Sequence, residues 1–236
     1  MPLMSRLPLV AVAGAACAAL ALPAAASAEI IEVGKIDPAP VPSCPTRPCL
    51  AVSRTTGYQA KIGTQRNVMV IPQDGSLVAW SIGLGKPGKK QTAFFNDKLG
   101  GEAQAQLTVL NPRSKLRSRA VGQGDAQKLA PYFGSTVQFP LAKSIPVKRG
   151  WVIALTVPTW APALAVGLGA DTSWRASRGK GTCEDTSTNT VQTQPNQLAQ
   201  YYCLYKTARL AYSATLVTSP TPTAATTPPA TTPPPA

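Results

Sequence analysis

The chain has 236 residues, 23 Lys and Arg against 10 Asp and Glu, and no histidine. Without an imidazole there is no Ser-His-Asp or Cys-His catalysis, no His-ligated zinc and no imidazole pH switch. A content of 14% charged and 44% apolar residues, with 24 Pro and 18 Gly, describes a loop-rich globular chain, and the formal charge of +13 points to anionic surroundings.

Residues 1–28 read as a secretory signal peptide. Arg6 is its positive start, Leu7 to Leu22 its apolar Ala-rich core, Pro23 the break, and Ala26-Ser27-Ala28 the small-residue cleavage site. Lipoprotein processing at Cys17 fits less well, because Gly14 stands where a large aliphatic residue is needed. Cleavage before Glu29 removes one arginine and no acid, which takes the charge from +13 to +12. No other apolar run is long enough to cross a bilayer, so no membrane insertion is expected after cleavage. Residues 29–43 are expected to be a flexible segment leading into a domain over 44–217.

Removing the signal leaves Cys44, Cys49, Cys183 and Cys203. An even count in an exported chain argues for two disulfides. Of the three pairings, Cys44–Cys49 and Cys183–Cys203 are preferred because each closes a local loop. Zinc on four thiolates is disfavoured by the ligand spacing and by an oxidising compartment.

Between the cysteines the apolar residues alternate. Val78, Trp80, Ile82 and Leu84 share one face, opposite Leu77, Ala79, Ser81 and Gly83. The same period of two runs through Ala103 to Val109, Trp151 to Val157 and Leu210 to Leu216. Shorter candidate strands lie at Val68–Ile71, Leu116–Val121, Thr136–Leu141 and Leu164–Leu168, separated by Pro- and Gly-containing turns. No stretch carries a sustained helical stripe, and the best short helix candidate is Gln194 to Tyr202. The fold class expected is all-β: a two-sheet antiparallel β-sandwich with jelly-roll, galactose-binding-like topology. After it, residues 218–236 hold seven Pro, seven Thr, four Ala and one Ser. That composition predicts a disordered, extended tail.

Four segments carry a resemblance: Trp80 to Asn96, Ile145 to Leu155, Val157 to Pro162 and Asp171 to Gly181. Together they resemble an uncharacterised family of secreted actinobacterial β-sandwich proteins, over Cys44 to Val217. The resemblance implies an extracellular β-sandwich and brings no activity with it. The turn Pro146-Val-Lys-Arg-Gly150 entering an apolar strand also resembles galactose-binding-like jelly rolls.

Candidate chemistry is sparse. Glu184 and Asp185, with Asp171, offer oxygen ligands to a structural Ca²⁺, though no calcium motif is present and no other cofactor or metal is expected. Asp97, Glu102 and Asp171 are the carboxylates to test for a glycan hydrolase or lyase, which needs two of them facing across a cleft. Ser177-Arg-Gly-Lys180, Ser187-Thr-Asn189 and Lys206-Thr-Ala208 echo a penicillin-binding transpeptidase. They are rejected because they crowd into about 30 residues and Gly179 weakens the helix that Ser-x-x-Lys needs.

The basic residues cluster instead. Lys86, Lys89 and Lys90 share a loop. Arg113, Lys115, Arg117 and Arg119 recur at every second position, one face of an extended run. Arg175, Arg178 and Lys180 follow Trp174. These either solvate the surface or contact a polyanion such as a cell-wall polymer or anionic polysaccharide; no nucleic-acid motif accompanies them. Trp80 and Trp151 fall on apolar strand faces and are expected in the core. Trp160 and Trp174 fall in expected loops, where each either stacks on a sugar or plugs the sandwich end. Tyr201, Tyr202 and Tyr205 are expected to pack over the Cys203 disulfide. The expected function is non-catalytic binding of an anionic or carbohydrate polymer at the cell envelope. A carboxylate-based glycan hydrolase or lyase and a purely structural surface protein are the alternatives.

Overall fold

The computed structural model describes residues 27–184 and 190–219. Apart from residues 27–28 and 218–219, the expected signal peptide and Thr/Pro tail lie outside the described residues. Eight strands form the body: β1 (Ile30–Val33), β2 (Val52–Ile62), β4 (Gly75–Gly83), β5 (Gln104–Pro112), β6 (Arg117–Gln123), β8 (Thr136–Val147), β9 (Val152–Ala161) and β15 (Tyr212–Thr218). Two short strands, β3 (Gln65–Arg66) and β7 (Gln127–Lys128), pair onto β2 and β5.

One sheet has the order β1-β15-β4-β8 and the other contains β2-β9-β5-β6, with every pairing antiparallel. Counted along the chain, the eight strands lie as first-eighth-third-sixth and second-seventh-fourth-fifth. That is jelly-roll order, the expected class. Ile82, Leu107, Val109, Ile153, Leu155 and Leu216 are buried in the core cluster, as the alternating pattern requires. A bulge falls between Leu77 and Ala79, so Leu77 is fully buried and Val78 only partly, the reverse of strict alternation.

The long connection from β9 to β15 is an insertion that wraps the second sheet. It contains β10 (Leu164–Val166), β11 (Ser173–Ala176), β12 (Leu198–Gln200), β13 (Cys203–Lys206) and β14 (Ala208–Leu210). β11 pairs with β2 and β13 with β11, extending one edge of that sheet, while β12 pairs with β6 at the other edge. Both preferred disulfides, Cys44–Cys49 and Cys183–Cys203, are formed.

The face under this insertion is buried and polar. Thr108, Thr156 and Thr56 sit on three neighbouring strands, with Oγ1 atoms 2.7 and 2.8 Å apart in that order. Gln192 closes over them. Its N–H donates to Thr56 Oγ1 at 3.0 Å, and its side-chain amide donates to the Ser118 and Gln197 carbonyls at 3.1 and 2.7 Å. The Tyr201 hydroxyl donates to Gln192 Oε1. Every one of these buried groups is therefore partnered, as a dry polar layer demands.

Several expectations are corrected. β2, the second-longest strand, went unread because its buried positions include Thr55, Thr56 and Gln59 rather than an apolar row. Residues 29–43 are not merely a leader: they supply β1, and Thr218 N–H donates to the Glu29 carbonyl at 2.8 Å. Residues 68–71 form no strand, and Val70 makes only an isolated bridge to Val152. Gln194 to Tyr202 is not helical but holds β12, whose Ala199 inserts into the core. Among the described residues the α-helix is α1 (Lys89–Lys98), which shows no apolar stripe because it buries one side chain, Phe95. Arg113 and Lys115 are not in line with Arg117 and Arg119. They occupy the β5–β6 turn, where Arg113 N–H donates to the Arg117 carbonyl at 2.8 Å.

Candidate functional site

The two loop tryptophans prove to be internal. Trp160 lies on β9 at 0% exposure, its ring 4.9 Å from Phe95 and 5.6 Å from Phe133. Its indole N–H donates to Asn96 Oδ1 and the Gly101 carbonyl at 3.0 and 2.9 Å. It plugs the sandwich end and has no face left for a sugar. Trp174 lies on β11, buried, and stacks on Tyr205 with centroids 4.9 Å apart. Both were expected in loops because Pro158, Pro162 and Arg175 flank them. Those prolines instead sit in and just after an interior strand.

The third basic cluster is largely committed to the fold. Arg175 donates to the Tyr201 and Tyr202 carbonyls, both at 3.0 Å. Arg178 is buried, donating to the Cys183 carbonyl at 3.1 Å and to the Tyr205 hydroxyl. Lys180 is exposed. Of the three tyrosines expected over the disulfide, Tyr205 donates to the Cys183 carbonyl at 2.6 Å. Tyr201 instead faces the threonine layer, and Tyr202 is exposed. Ser177 of the rejected transpeptidase echo is buried, its hydroxyl accepting from Thr56 N–H at 2.9 Å.

The remaining basic residues do not share one groove. Lys86, Lys89 and Lys90 are exposed at the start of α1, whose Phe95 packs on Trp160 near the end of β9. Arg117 and Arg119 lie on β6 near the β5–β6 turn, where Leu110 pairs with Val152 at the start of β9. The intervening strand separates the two clusters by roughly 25 Å at ~3.3 Å per residue. Arg119 also donates to the Asn196 carbonyl at 2.8 Å.

The lysine cluster has an electrostatic setting of its own. α1 begins at Gly88 with no side-chain cap and no acidic residue in its first turn. Its first N–H groups and the positive end of its dipole therefore add to the three lysines. Among the described residues the ion pairs are Lys98–Asp97 at 2.7 Å and Lys128–Glu102 at 3.2 Å, so these lysines have no carboxylate partner.

A groove lies over the outer face of the β1-β15-β4-β8 sheet. Small and polar residues at outward positions, Ser81 and Gly83 of β4 and Ser213 of β15, leave the space. Residues 34–40 form its wall. The chain turns out of β1 at Gly34, whose φ is +82° and whose missing side chain would meet Met69 Sδ at 2.5 Å, so only glycine fits. Arg209 holds the wall by donating to the Ile36 and Pro38 carbonyls at 2.8 and 2.9 Å. Burial lowers the pKa of Arg209 and nearby Asp37 opposes that shift. The cavity measures about 320 Å³. A second space of about 500 Å³ shares Ala39, Pro40, Gly83 and Thr136 with it and extends to Lys86.

Among the described residues, Glu32 is the one carboxylate lining this groove. Ser213 Oγ donates to its Oε2 at 3.3 Å and Thr215 Oγ1 to its Oε1. Gln138 Nε2 donates to Thr215 Oγ1 at 3.2 Å. Asp97, Glu102 and Asp171, weighed for hydrolysis, do not line it. The calcium set includes Asp185, outside the described residues. Among those described, no three acidic or Cys side chains are grouped to hold a metal. Sequence reasoning missed Glu32 and Arg209. The available signal was the small polar face Ser81, Gly83, Ser213, Thr215 opposite the apolar one. Comparison with protein-family models, with curated proteins and with solved structures finds no match to this chain.

Proposed function

We propose that the chain is an exported, non-catalytic jelly-roll module that binds an anionic or carbohydrate polymer at the cell envelope. The observation that carries this reading is the set of Lys86, Lys89 and Lys90 at the uncapped start of α1, exposed and without carboxylate partners among the described residues. A row of fixed phosphates or carboxylates fits such a surface through charge and counterion release. The two disulfides suit an oxidising compartment, and no described helix is long and apolar enough to cross a membrane. The space that adjoins the groove reaches Lys86 and is also lined by Ser135 and Thr136, polar groups that suit the sugars of a glycan.

The test is retention of the protein on immobilised polygalacturonate and on neutral dextran across a salt series. Retention on polygalacturonate that weakens with salt is expected. K86Q/K89Q/K90Q is expected to lower the slope of log K against log salt by about 2, at ~0.7 per contact as for single-stranded polyanions. No retention on either polymer at low salt overturns the proposal.

A further inference from the structure

We infer that the groove over the four-stranded sheet is a subsite for a neutral sugar residue, which a vicinal diol holds by donating both hydroxyls to the Glu32 carboxylate. This rests on the carbohydrate side of the reading above and names the atoms that would do it.

The first argument is valence. A carboxylate offers about four acceptor positions. Glu32 has one at each oxygen filled, by Thr215 and Ser213, which leaves each oxygen able to accept again. The acceptors are also fixed in direction. Gln138 Nε2 donates to Thr215 Oγ1, so the Thr215 proton is committed to Glu32 and the carboxylate is held before any ligand arrives. Two gauche hydroxyls on neighbouring ring carbons match two carboxylate oxygens in spacing.

The second argument is charge. No lysine or arginine pairs with Glu32 among the described residues. An anionic ligand would meet that carboxylate directly. An ammonium would meet Lys35 and the buried Arg209 in the same lining, within a chain of net charge +13. Both signs are disfavoured, and a neutral hydroxyl donor satisfies the carboxylate without either penalty. The third argument is shape. The cavity of about 320 Å³ is in the range of small-molecule sites, and Ile36, Ala39 and Pro40 give it an apolar side for the C–H face of a pyranose.

The experiment is an amide NMR titration of the full chain with methyl β-D-glucopyranoside and methyl α-D-mannopyranoside in high salt. Permethylated methyl glucoside and glucosamine are the controls. Saturable shifts at Ser81, Gly83 and Ser213 with at least one neutral glycoside are expected, and none with the permethylated compound. Glu32→Gln is expected to weaken binding tenfold or more. Gly83→Leu is a second variant that leaves Glu32 alone. A Cβ at Gly83 meets Ala211 Cβ at 3.4 Å, an ordinary contact, so the leucine is expected to fill the groove and abolish the shifts. Absence of shifts with both neutral glycosides, shifts with glucosamine alone, or an unchanged Kd in Glu32→Gln each overturn the inference. Because the ligands are uncharged and the salt is high, failure here leaves polygalacturonate retention intact. Loss of that retention would in turn leave glycoside binding intact.

Discussion

The buried threonine layer makes a quantitative demand on Gln192. Gln192→Ala keeps the main-chain N–H bond to Thr56 but deletes the amide bonds to the Ser118 and Gln197 carbonyls and the acceptor of the Tyr201 hydroxyl. Two lost hydrogen bonds at about 1 kcal/mol each, plus a buried hydroxyl left unpaired at about 1–3 kcal/mol, give a loss of roughly 3 to 5 kcal/mol. For a domain of this size that is a fall in Tm of about 6–20 °C. Urea denaturation at neutral pH measures the free energy. Tyr201→Phe, which leaves Gln192 Oε1 without that donor, completes a double-mutant cycle. The two changes should be non-additive by about 1–2 kcal/mol, because each alone orphans the other's partner. A Gln192→Ala cost under about 1 kcal/mol, or additivity within about 0.5 kcal/mol, refutes the view that this contact locks the insertion onto the sheet.

The other expectations concern the cross-links and the tyrosines. Cys183–Cys203 spans a sequence separation of 20 and Cys44–Cys49 one of 5. Loop-closure entropy assigns about 3 and about 2 kcal/mol to them. C183S/C203S should therefore melt below C44S/C49S, and the opposite order would show that native contacts rather than chain entropy decide. Burial raises the pKa of Tyr201 and Tyr212 well above the usual tyrosine value, and that of Tyr58 to a lesser degree. In the unfolded chain these groups ionise near pH ~10, so their stabilisation is whole below that pH and is lost as pH rises toward the folded values. Stability should fall by about 2.7 kcal/mol per pH unit above ~10 from Tyr201 and Tyr212 alone. Tyrosinate absorbance from that pair should appear only with unfolding. Ionisation of all six tyrosines in a folded protein near pH ~10 would contradict it.

The jelly roll was legible where one face of a strand meets the core. β4, β5, β9 and β15 each keep an apolar row at every second position on the face that meets the core, even where the other face of β5 and β9 is covered by the polar layer. β2 was not legible, although it is an interior strand of the extended sheet, between β9 and β11. Both of its faces are covered, and one is covered by the Gln192 segment through hydroxyl and amide bonds rather than through apolar area. A polar buried face has no hydropathy signal, since Thr56 reads as a surface residue until its partners 100 and 136 residues away are known. α1 escaped for the opposite reason: one buried phenylalanine is enough to seat a lid on Trp160, and one residue makes no stripe.

The same logic separates the two kinds of candidate site residue. Runs of charge are visible in a sequence because their members are neighbours, and neighbours in a loop are what a polymer-binding surface needs. Lys86, Lys89 and Lys90 are such a run, Lys86 just before α1 and the other two in its first turn. Arg175 and Arg178 looked alike in sequence but are held by main-chain carbonyls of the insertion. Composition cannot separate a free arginine from one that staples a loop. The groove is the converse case. Glu32 receives its hydroxyl partners from Ser213 and Thr215, 181 and 183 residues further on, because jelly-roll order sets the first strand beside the last. A site made by that adjacency leaves no local motif. It follows that in this fold the outward small residues of the first, third and last strands are where a groove should be sought, before any cluster of charge.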